Sequence, residues 1–164
     1  MADILPDILA PGLKLVVCGS AAGTRSAELG AYYAGPGHRF WGMLHQVGLT
    51  PTVLAPADFR GVLAYGIGLT DIVKTAFGPD SGLKPTDFDR EGLRRRIETF
   101  QPRILAFNGK RSASAFFGIP VAYGYQSSRD IGATRVYVAP STSGAARGFW
   151  DEGYWRLVAE AARA

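Results

Sequence analysis

The stretch LKLVVCGSAAGT, residues 13–24, decides the fold of this chain. Its first half, Leu13 to Cys18, is a nearly continuous apolar run, which is typical of a strand buried on both faces of a sheet. Its second half, Gly19 to Thr24, is a loop of small residues. A buried strand that leads directly into such a loop is typical of a parallel sheet, in which ligands bind beyond the carboxyl ends of the strands.

Three further apolar runs each end in a polar or glycine-containing loop. Residues 65–70 precede Asp71, residues 103–107 precede the turn Asn108-Gly109-Lys110, and residues 135–139 precede the loop 140–144. Four strands are therefore predicted, and we expect their loops to meet at one edge of the sheet.

Helical patterns separate the predicted strands. Helices are predicted over residues 38–48, 88–100 and 111–117, and a last helix is expected to bury Tyr154, Leu157, Val158 and Ala161. The run Arg94 to Arg96 is expected to lie mostly in solvent. Strands that alternate with helices predict a layered α/β fold with a largely parallel sheet.

Length and composition predict one globular domain over residues 1–164. A chain of 164 residues with 47% hydrophobic and 20% charged residues can bury a core but is too short for two ordinary domains. Its 18 basic and 14 acidic residues give a net charge of +4, which weakly favours a polyanionic partner.

Several kinds of site are excluded. Cys18 is the single cysteine, so we expect no internal disulfide and predict a buried core residue. His38 and His45 have no further ligand at metal-binding spacing. No apolar run approaches the roughly 20 residues that span a membrane, and the N-terminus lacks the pattern of a secretion signal. We therefore expect a cytoplasmic protein without metal, cofactor or membrane partner.

The glycine-containing loops match no nucleotide-binding motif. Gly19 and Gly23 stand one residue too close together for a P-loop, and Thr24-Arg25 follows them where Lys-Ser or Lys-Thr is needed. The pair Gly66 and Gly68 lacks the third glycine of a dinucleotide fingerprint.

Five segments together carry a resemblance to a known family. They are VCGSAAG at 17–23, AGPGHRFW at 34–41, YGIGLTD at 65–71, QPR at 101–103 with NGK at 108–110, and PSTS at 140–143. In order and spacing they resemble the mismatch-specific uracil/thymine-DNA glycosylases of the uracil-DNA glycosylase superfamily, and they cover most of the chain.

The resemblance implies a fold, an activity and a partner. The fold would be a three-layer α/β sandwich with a central, mostly parallel four-stranded sheet. The activity would be that of a monofunctional DNA-repair glycosylase, which flips uracil or a related deaminated or mismatched base out of DNA and hydrolyses its N-glycosidic bond. We expect a monomer that acts without a cofactor on uracil in single- or double-stranded DNA.

The resemblance also assigns residues to the flipped base. Tyr33 is similar to the family's stacking aromatic, although it could instead pack on the core, and Tyr32 is the substitute if the register differs by one. Asn108 could present a donor and an acceptor to a pyrimidine edge, or stabilise its own turn. Backbone N–H groups of the first loop could donate to the base oxygen that gains negative charge, and that loop contains Ala21, Ala22 and Gly23.

One position departs from the family pattern. The family's first motif normally reads Gly-Ile-Asn-Pro-Gly, with the asparagine positioning the attacking water, whereas Ala21 stands at that place here. Three outcomes are open: another group holds the water, the base departs with little help from water, or the protein binds uracil-DNA without cleaving it. The candidate groups, in order, are Asp71, Ser20 and Glu28. Asp71 could orient or deprotonate the water, could stabilise the oxocarbenium-like sugar, or could merely cap the turn after its strand.

The loop 140–144 is expected to contact DNA. It resembles the family's second motif, which enters the minor groove, although a serine-rich turn of this kind could also be an ordinary loop. Its serine hydroxyls would hold phosphates, and Arg147 would supply charge to a phosphate or fill the space left by the flipped nucleotide. The residues assigned to DNA are Lys110, Ser141, Thr142, Ser143 and Arg147.

Three classes of function follow. An enzyme would leave an abasic site, a damage-binding protein would hold uracil-DNA without cleavage, and a nucleotide-binding regulator would bind mononucleotides. The missing nucleotide motifs count against the regulator. We favour the enzyme, because the stacking aromatic, the backbone loop and the base-reading position are all present.

Overall fold

A five-stranded sheet forms the centre of the protein, whose computed structural model describes residues 2–144, 148 and 150–164. The strands lie in the order β2-β1-β3-β5-β4. Their bounds are β1 Leu15–Gly19, β2 Ile67–Asp71, β3 Ile104–Asn108, β4 Gly124–Tyr125 and β5 Arg135–Ala139. The four predicted strands are confirmed, with small differences at their ends.

Four of these strands are parallel, and β4 pairs antiparallel with β5 at the edge of the sheet. The expected sheet of four strands is thus extended by a fifth. Strand β4 was not predicted because Gly124 and Tyr125 are too short a run to show an alternating pattern.

The register brings polar residues together at the carboxyl edge of the sheet. Gly19 at the end of β1 lies opposite Asp71 at the end of β2. Asn108 at the end of β3 lies opposite Ala139 at the end of β5, directly before the loop 140–144. The predicted meeting of loops at one edge is confirmed.

Helices cover both faces of the sheet. Leu15 and Val17 belong to one apolar core, and Val16 and Cys18 belong to the other, because successive strand residues point to opposite faces. The helices are α1 Thr24–Leu29, α2 Phe40–Gln46, α3 Arg90–Phe100, α4 Lys110–Phe117 and α5 Glu152–Arg163. Residues of α2 and α5 line the first core, whereas residues of α3 and α4 line the second. The three-layer α/β fold is therefore confirmed, and Cys18 is buried as predicted.

Two helix faces differ from the prediction. Leu157 of α5 is 47% exposed, and Trp155 is buried in its place. The helix is turned so because the Trp155 indole N–H donates to the Pro140 carbonyl at 2.9 Å while the large ring fills the core. In α3, Arg94 and Arg95 are exposed as expected, but Arg96 is partly buried.

Within the described residues, no helix is long and apolar enough to cross a membrane.

Candidate active site

A cavity of about 670 Å³ opens at the carboxyl edge of the sheet. The loop after β1, the turn that follows α1, the ends of β2 and β3 and the loop after β5 all line it. Among the residues assigned from the sequence, those that line the cavity are Ser20, Ala21, Ala22, Gly23, Tyr33, Asp71, Asn108 and Ser143. Residues far apart in the chain thus meet at one site, and its size suits a small planar ligand.

The floor of the cavity is built around Gly19. A Cβ atom at this position would stand 2.7 Å from Asp71 Oδ1 and 3.2 Å from the Tyr33 hydroxyl oxygen. The Gly19 backbone N–H donates to the Asp71 carboxylate. Glycine is therefore needed here, because a side chain would displace the two polar groups that meet beside its Cα.

Asp71 is a buried residue whose carboxylate faces this cavity, and 4% of the residue is exposed. Burial raises the pKa of Asp71 from 3.8 to about 6, and the charge of Asp7 adds to the rise, while the charges of Lys74 and Arg96 and the Gly19 N–H oppose it. No described ion pair includes the Asp71 carboxylate. Near neutral pH the group is thus mostly ionised and can accept a proton.

Tyr33 forms an aromatic wall of the cavity. Its ring centroid lies 4.1 Å from that of Phe40 and 4.8 Å from that of His38. Its backbone φ is +53°, a left-handed conformation that is uncommon for a residue with a bulky side chain. Burial, and secondly the charge of Asp71, raises the pKa of the hydroxyl well above its ordinary value. The tyrosine is therefore held neutral in a strained conformation, which is common at functional sites.

Asn108 joins two loops of the site. Its Nδ2 donates to Thr142 Oγ1 at 2.8 Å, and the Thr142 backbone N–H donates to its Oδ1 at 3.0 Å. This geometry supports the interpretation that Asn108 stabilises local structure. Contact with a base stays a prediction, since Asn108 also lines the cavity.

A second carboxylate, Asp80, lies at the rim near the first loop. The Ser20 hydroxyl hydrogen-bonds to it, and burial raises its pKa, while the charge of Arg111 lowers it. The segment before Asp80 is tied to the first loop, because the Gly78 N–H donates to the Ala22 carbonyl at 2.9 Å. No sequence pattern marks Asp80, because the segment between β2 and its short 3-10 helix, Asp80–Gly82, has no regular apolar spacing.

His38 also lines the cavity, a position that its sequence spacing did not predict. Burial, and secondly the charge of Arg39, lowers the pKa of the imidazole to about 4, so the ring is neutral at neutral pH. The Phe40 backbone N–H lies 3.4 Å from Nδ1 and donates to it. Nε2 therefore carries the ring proton and is a donor. The position of His38 directly after AGPG, residues 34–37, is the signal that could have identified it as a residue of the site.

Other assigned residues lie away from the cavity lining. Glu28 is exposed on α1 and forms an ion pair with Arg25 at 3.0 Å. The Lys110 ammonium lies 4.3 Å from the centre of the Tyr123 ring. Ser141 Oγ accepts from the Ser143 N–H at 3.2 Å, and Thr142 is buried. Arg147 lies outside the described residues.

Within the described part of the chain, no group of three or more His, Cys, Asp or Glu side chains could hold a metal ion.

The fold and the cavity define an α/β protein that holds its ligand beyond the carboxyl ends of parallel strands. The chain belongs to the uracil DNA glycosylase superfamily, whose family model matches residues 6–159. It is also similar to the solution NMR structure of a Methanosarcina acetivorans protein proposed to be a uracil DNA glycosylase. The two chains are 24% identical, the match covers 98% of this chain and 97% of the other, and the TM-score is 0.65. The structural similarity confirms the fold, and the family match confirms the superfamily.

Proposed function

We propose that this protein is a monofunctional uracil-DNA glycosylase of the mismatch-specific kind, acting in DNA repair as a monomer in the cytoplasm. The observation that carries the proposal is the meeting of the Asp71 carboxylate and the Tyr33 ring in one cavity at the strand ends. A flipped base needs a face to stack on, and hydrolysis needs a group that can handle water. The superfamily match supports the same activity.

The flipped base is held, in this proposal, between the first loop and the Tyr33 ring. Stacking on an aromatic ring is worth about 1–3 kcal/mol per base. The small side chains of Ala21 and Ala22 let a base approach the loop backbone closely. Asn108 retains a second N–H on Nδ2 for the base edge, because its bond to Thr142 uses one of the two.

The proposed reaction is hydrolysis of the bond between C1′ of the deoxyribose and N1 of the base. The electron pair of that bond leaves with the base, and the water oxygen forms a new bond to C1′. The base leaves as the uracil anion and the water proton goes to Asp71. Transfer of that proton to the departed base, through solvent, restores the carboxylate, so the net products are free uracil and an abasic site. The anionic carboxylate also stabilises positive charge on the sugar before the water bond is complete.

Asp71 takes the place of the missing asparagine in this scheme, since the Ala21 methyl cannot bind water. The Ser20 hydroxyl and Asp80 provide a second candidate group, because they hydrogen-bond to each other at the cavity rim. Glu28 is the weakest of the three predicted candidates, since it is exposed and paired with Arg25. The variants Asp71→Asn and Asp80→Asn therefore separate the two candidates. Replacement of the carboxylate that handles the water is expected to lower turnover about 10²- to 10⁴-fold.

The proposed partner is DNA. The residues proposed to contact its sugar-phosphate backbone are Lys110, Ser141, Thr142, Ser143 and Arg147. Ser143 lies at the cavity itself, so a nucleotide that enters would pass it. The net charge of +4 favours association with phosphates.

The test is incubation of the protein with single-stranded and G:U oligonucleotides that contain uracil, with fully paired A:T oligonucleotides as controls. Release of free uracil, together with strand breakage by alkali at the abasic site, supports the proposal. Uracil-dependent binding without any abasic product, even at stoichiometric protein, would favour the alternative, a uracil-DNA binding protein. Such a protein would use the same cavity, so the product measurement decides between the two.

A further inference from the structure

The N-terminal segment, residues 2–10, is fixed against β2 and the residues that follow it. Ile8 and Leu69 exchange two backbone hydrogen bonds of 2.9 Å, and the Ile4 N–H donates to the Lys74 carbonyl at 2.7 Å. The Tyr32 hydroxyl donates to the Pro6 carbonyl at 2.9 Å. Asp7 is therefore held in one place between these anchors.

The Asp7 carboxylate is the centre of a group of charges below the cavity. Lys74 Nζ lies 2.8 Å from its Oδ1, and Arg96 Nε lies 3.3 Å from its Oδ2, the latter as an ion pair without a hydrogen bond. The Thr70 hydroxyl donates to Oδ1 at 2.6 Å. The Lys74 side chain is 7% exposed and that of Arg96 is 18% exposed, so water screens these charges poorly.

Both cations also lie close to Asp71. Arg96 Nη2 donates to the Asp71 backbone carbonyl at 2.9 Å, and Lys74 follows Asp71 by three residues. Neither forms a described ion pair with the Asp71 carboxylate, although each charge acts on it. The charges of both cations act on the Asp71 carboxylate, but the described ion pairs join them to Asp7.

We propose that Asp7 is a positioning residue of the active site: it holds Lys74 and Arg96 in ion pairs of its own and so leaves the Asp71 carboxylate open to the cavity. The mechanism rests on the proposed role of Asp71. A carboxylate that accepted a direct lysine pair would be a weaker base and would turn its oxygens away from water. With Asp7 in place, Asp71 accepts from the Gly19 N–H and keeps its remaining lone pairs for the cavity.

The groups around Asp71 divide into neutral and charged ones. The Tyr33 hydroxyl lies near the carboxylate beside the Gly19 Cα, and the Cys18 thiol on β1 feels the charge of Asp71. Burial raises the pKa of both groups, so neither carries charge at neutral pH. The charged neighbours are Asp7 on the N-terminal segment, Lys74 after β2 and Arg96 on α3.

The experiment follows the Asp71 carboxyl by carbon NMR in protein labelled at aspartate, with the signal identified by its loss in Asp71→Asn. Four proteins are titrated: wild type, Asp7→Asn, Lys74→Met and the double variant. Asp7→Asn is expected to lower the pKa of Asp71 by about one pH unit or more, because the released lysine pairs with it. Lys74→Met is then expected to raise that pKa by more in the Asp7→Asn background than in wild type. Asp3→Asn, an exposed change in the same segment, is the matched control and should leave the pKa of Asp71 unchanged.

Equal effects of Lys74→Met in both backgrounds would overturn the proposal, because Asp7 would then act by its charge alone. If Asp7→Asn fails to fold by circular dichroism, the double variant is compared with Lys74→Met, where release of Arg96 should still lower the pKa of Asp71. No change in that comparison would also overturn it. The titration needs no turnover, so it tests Asp7 even if uracil-DNA is not cleaved. Loss of the proposed function would appear separately, as absence of abasic product in the wild type.

Discussion

Asn108 and Thr142 are joined by two reciprocal hydrogen bonds, from Nδ2 to Oγ1 at 2.8 Å and from the Thr142 N–H to Oδ1 at 3.0 Å. The pair connects the end of β3 to the loop after β5. Both residues are buried, so water cannot replace either bond without cost. The position of that loop beside the cavity therefore depends on the Asn108 side chain.

Asn108→Ala and Thr142→Val are expected to lower the free energy of unfolding by about 1–3 kcal/mol, because each leaves buried polar groups unpaired. Urea unfolding measures this loss. If Asn108 also reads the base, Asn108→Ala will weaken binding of uracil-DNA more than Thr142→Val does. Equal binding by the two variants would show that Asn108 acts on the loop alone.

Gly19→Ala is expected to reduce turnover by about 10²-fold, because the new methyl would displace the groups that meet there. Its Cβ would stand 2.7 Å from Asp71 Oδ1 and 3.2 Å from the Tyr33 hydroxyl. Gly42→Ala is the matched control, since a Cβ at this exposed position of α2 meets no atom within 4 Å. Turnover of the two variants on a uracil oligonucleotide makes the comparison, and equal rates would contradict the proposed floor.

The parallel sheet was predictable because its strands are buried on both faces and appear as continuous apolar runs. The run 135–139 was predicted with the same bounds that β5 has. The face of α5 was not, because Leu157 and Trp155 are both apolar and the sequence does not show which one the core accepts. The bond from Trp155 to the Pro140 carbonyl settles the rotation, and it joins elements that are separate in the pattern.

The site was predictable where its residues directly follow strands, as Asp71 and Asn108 do. Asp80 begins a short 3-10 helix, and Asp7 lies before the first strand, so neither stands in a pattern that marks a site. Arg96 carried a signal that was missed: it stands three residues after Leu93 and thus lies near the buried face of α3. Whether a charged side chain is buried depends on its ion-pair partner. For Arg96 that partner is Asp7, which lies far earlier in the sequence.

Tyr33→Ala is expected to weaken binding of uracil-DNA by about 5- to 150-fold, which corresponds to about 1–3 kcal/mol of stacking. Tyr33→Phe keeps the ring and should retain the affinity. The Tyr33 hydroxyl is buried and makes no well-aligned hydrogen bond within the described residues, so its removal should not lower the free energy of unfolding. Affinity is measured with an oligonucleotide whose uridine carries a 2′-fluorine, which slows cleavage. Similar losses in both variants would show that the hydroxyl, rather than the ring, holds the base.

Turnover is expected to rise with pH and to level off above the pKa of Asp71, which is about 6. The carboxylate must be ionised to accept the water proton, so the rate falls as the pH falls through that value. His38, with its pKa near 4, stays neutral over this range. The measurement is kcat/KM over about two pH units on either side of neutrality. A flat profile would contradict the role of Asp71. Asp71→Asn should remove the limb together with most of the activity.

Asp71→Asn is also expected to stabilise the protein at neutral pH. The pKa of Asp71 is about 6 in the folded protein against an ordinary 3.8, so the folded state binds the proton more tightly than the unfolded state. Ionising the buried carboxylate therefore reduces stability as the pH rises from 3.8 to 6, by about 3 kcal/mol in total. Asparagine is neutral at every pH and avoids this cost.

The gain from Asp71→Asn should therefore depend on pH. It should be small below the ordinary pKa, grow between the two values and stay constant above pH 6. Urea unfolding of wild type and variant on either side of this window measures it, with Asp3→Asn as an exposed control. A gain of the same size at every pH would mean that packing or hydrogen bonding, rather than the charge, separates the two proteins. A gain confined to the upper range would show that the site holds its carboxylate at the expense of stability, as expected of a group kept for chemistry.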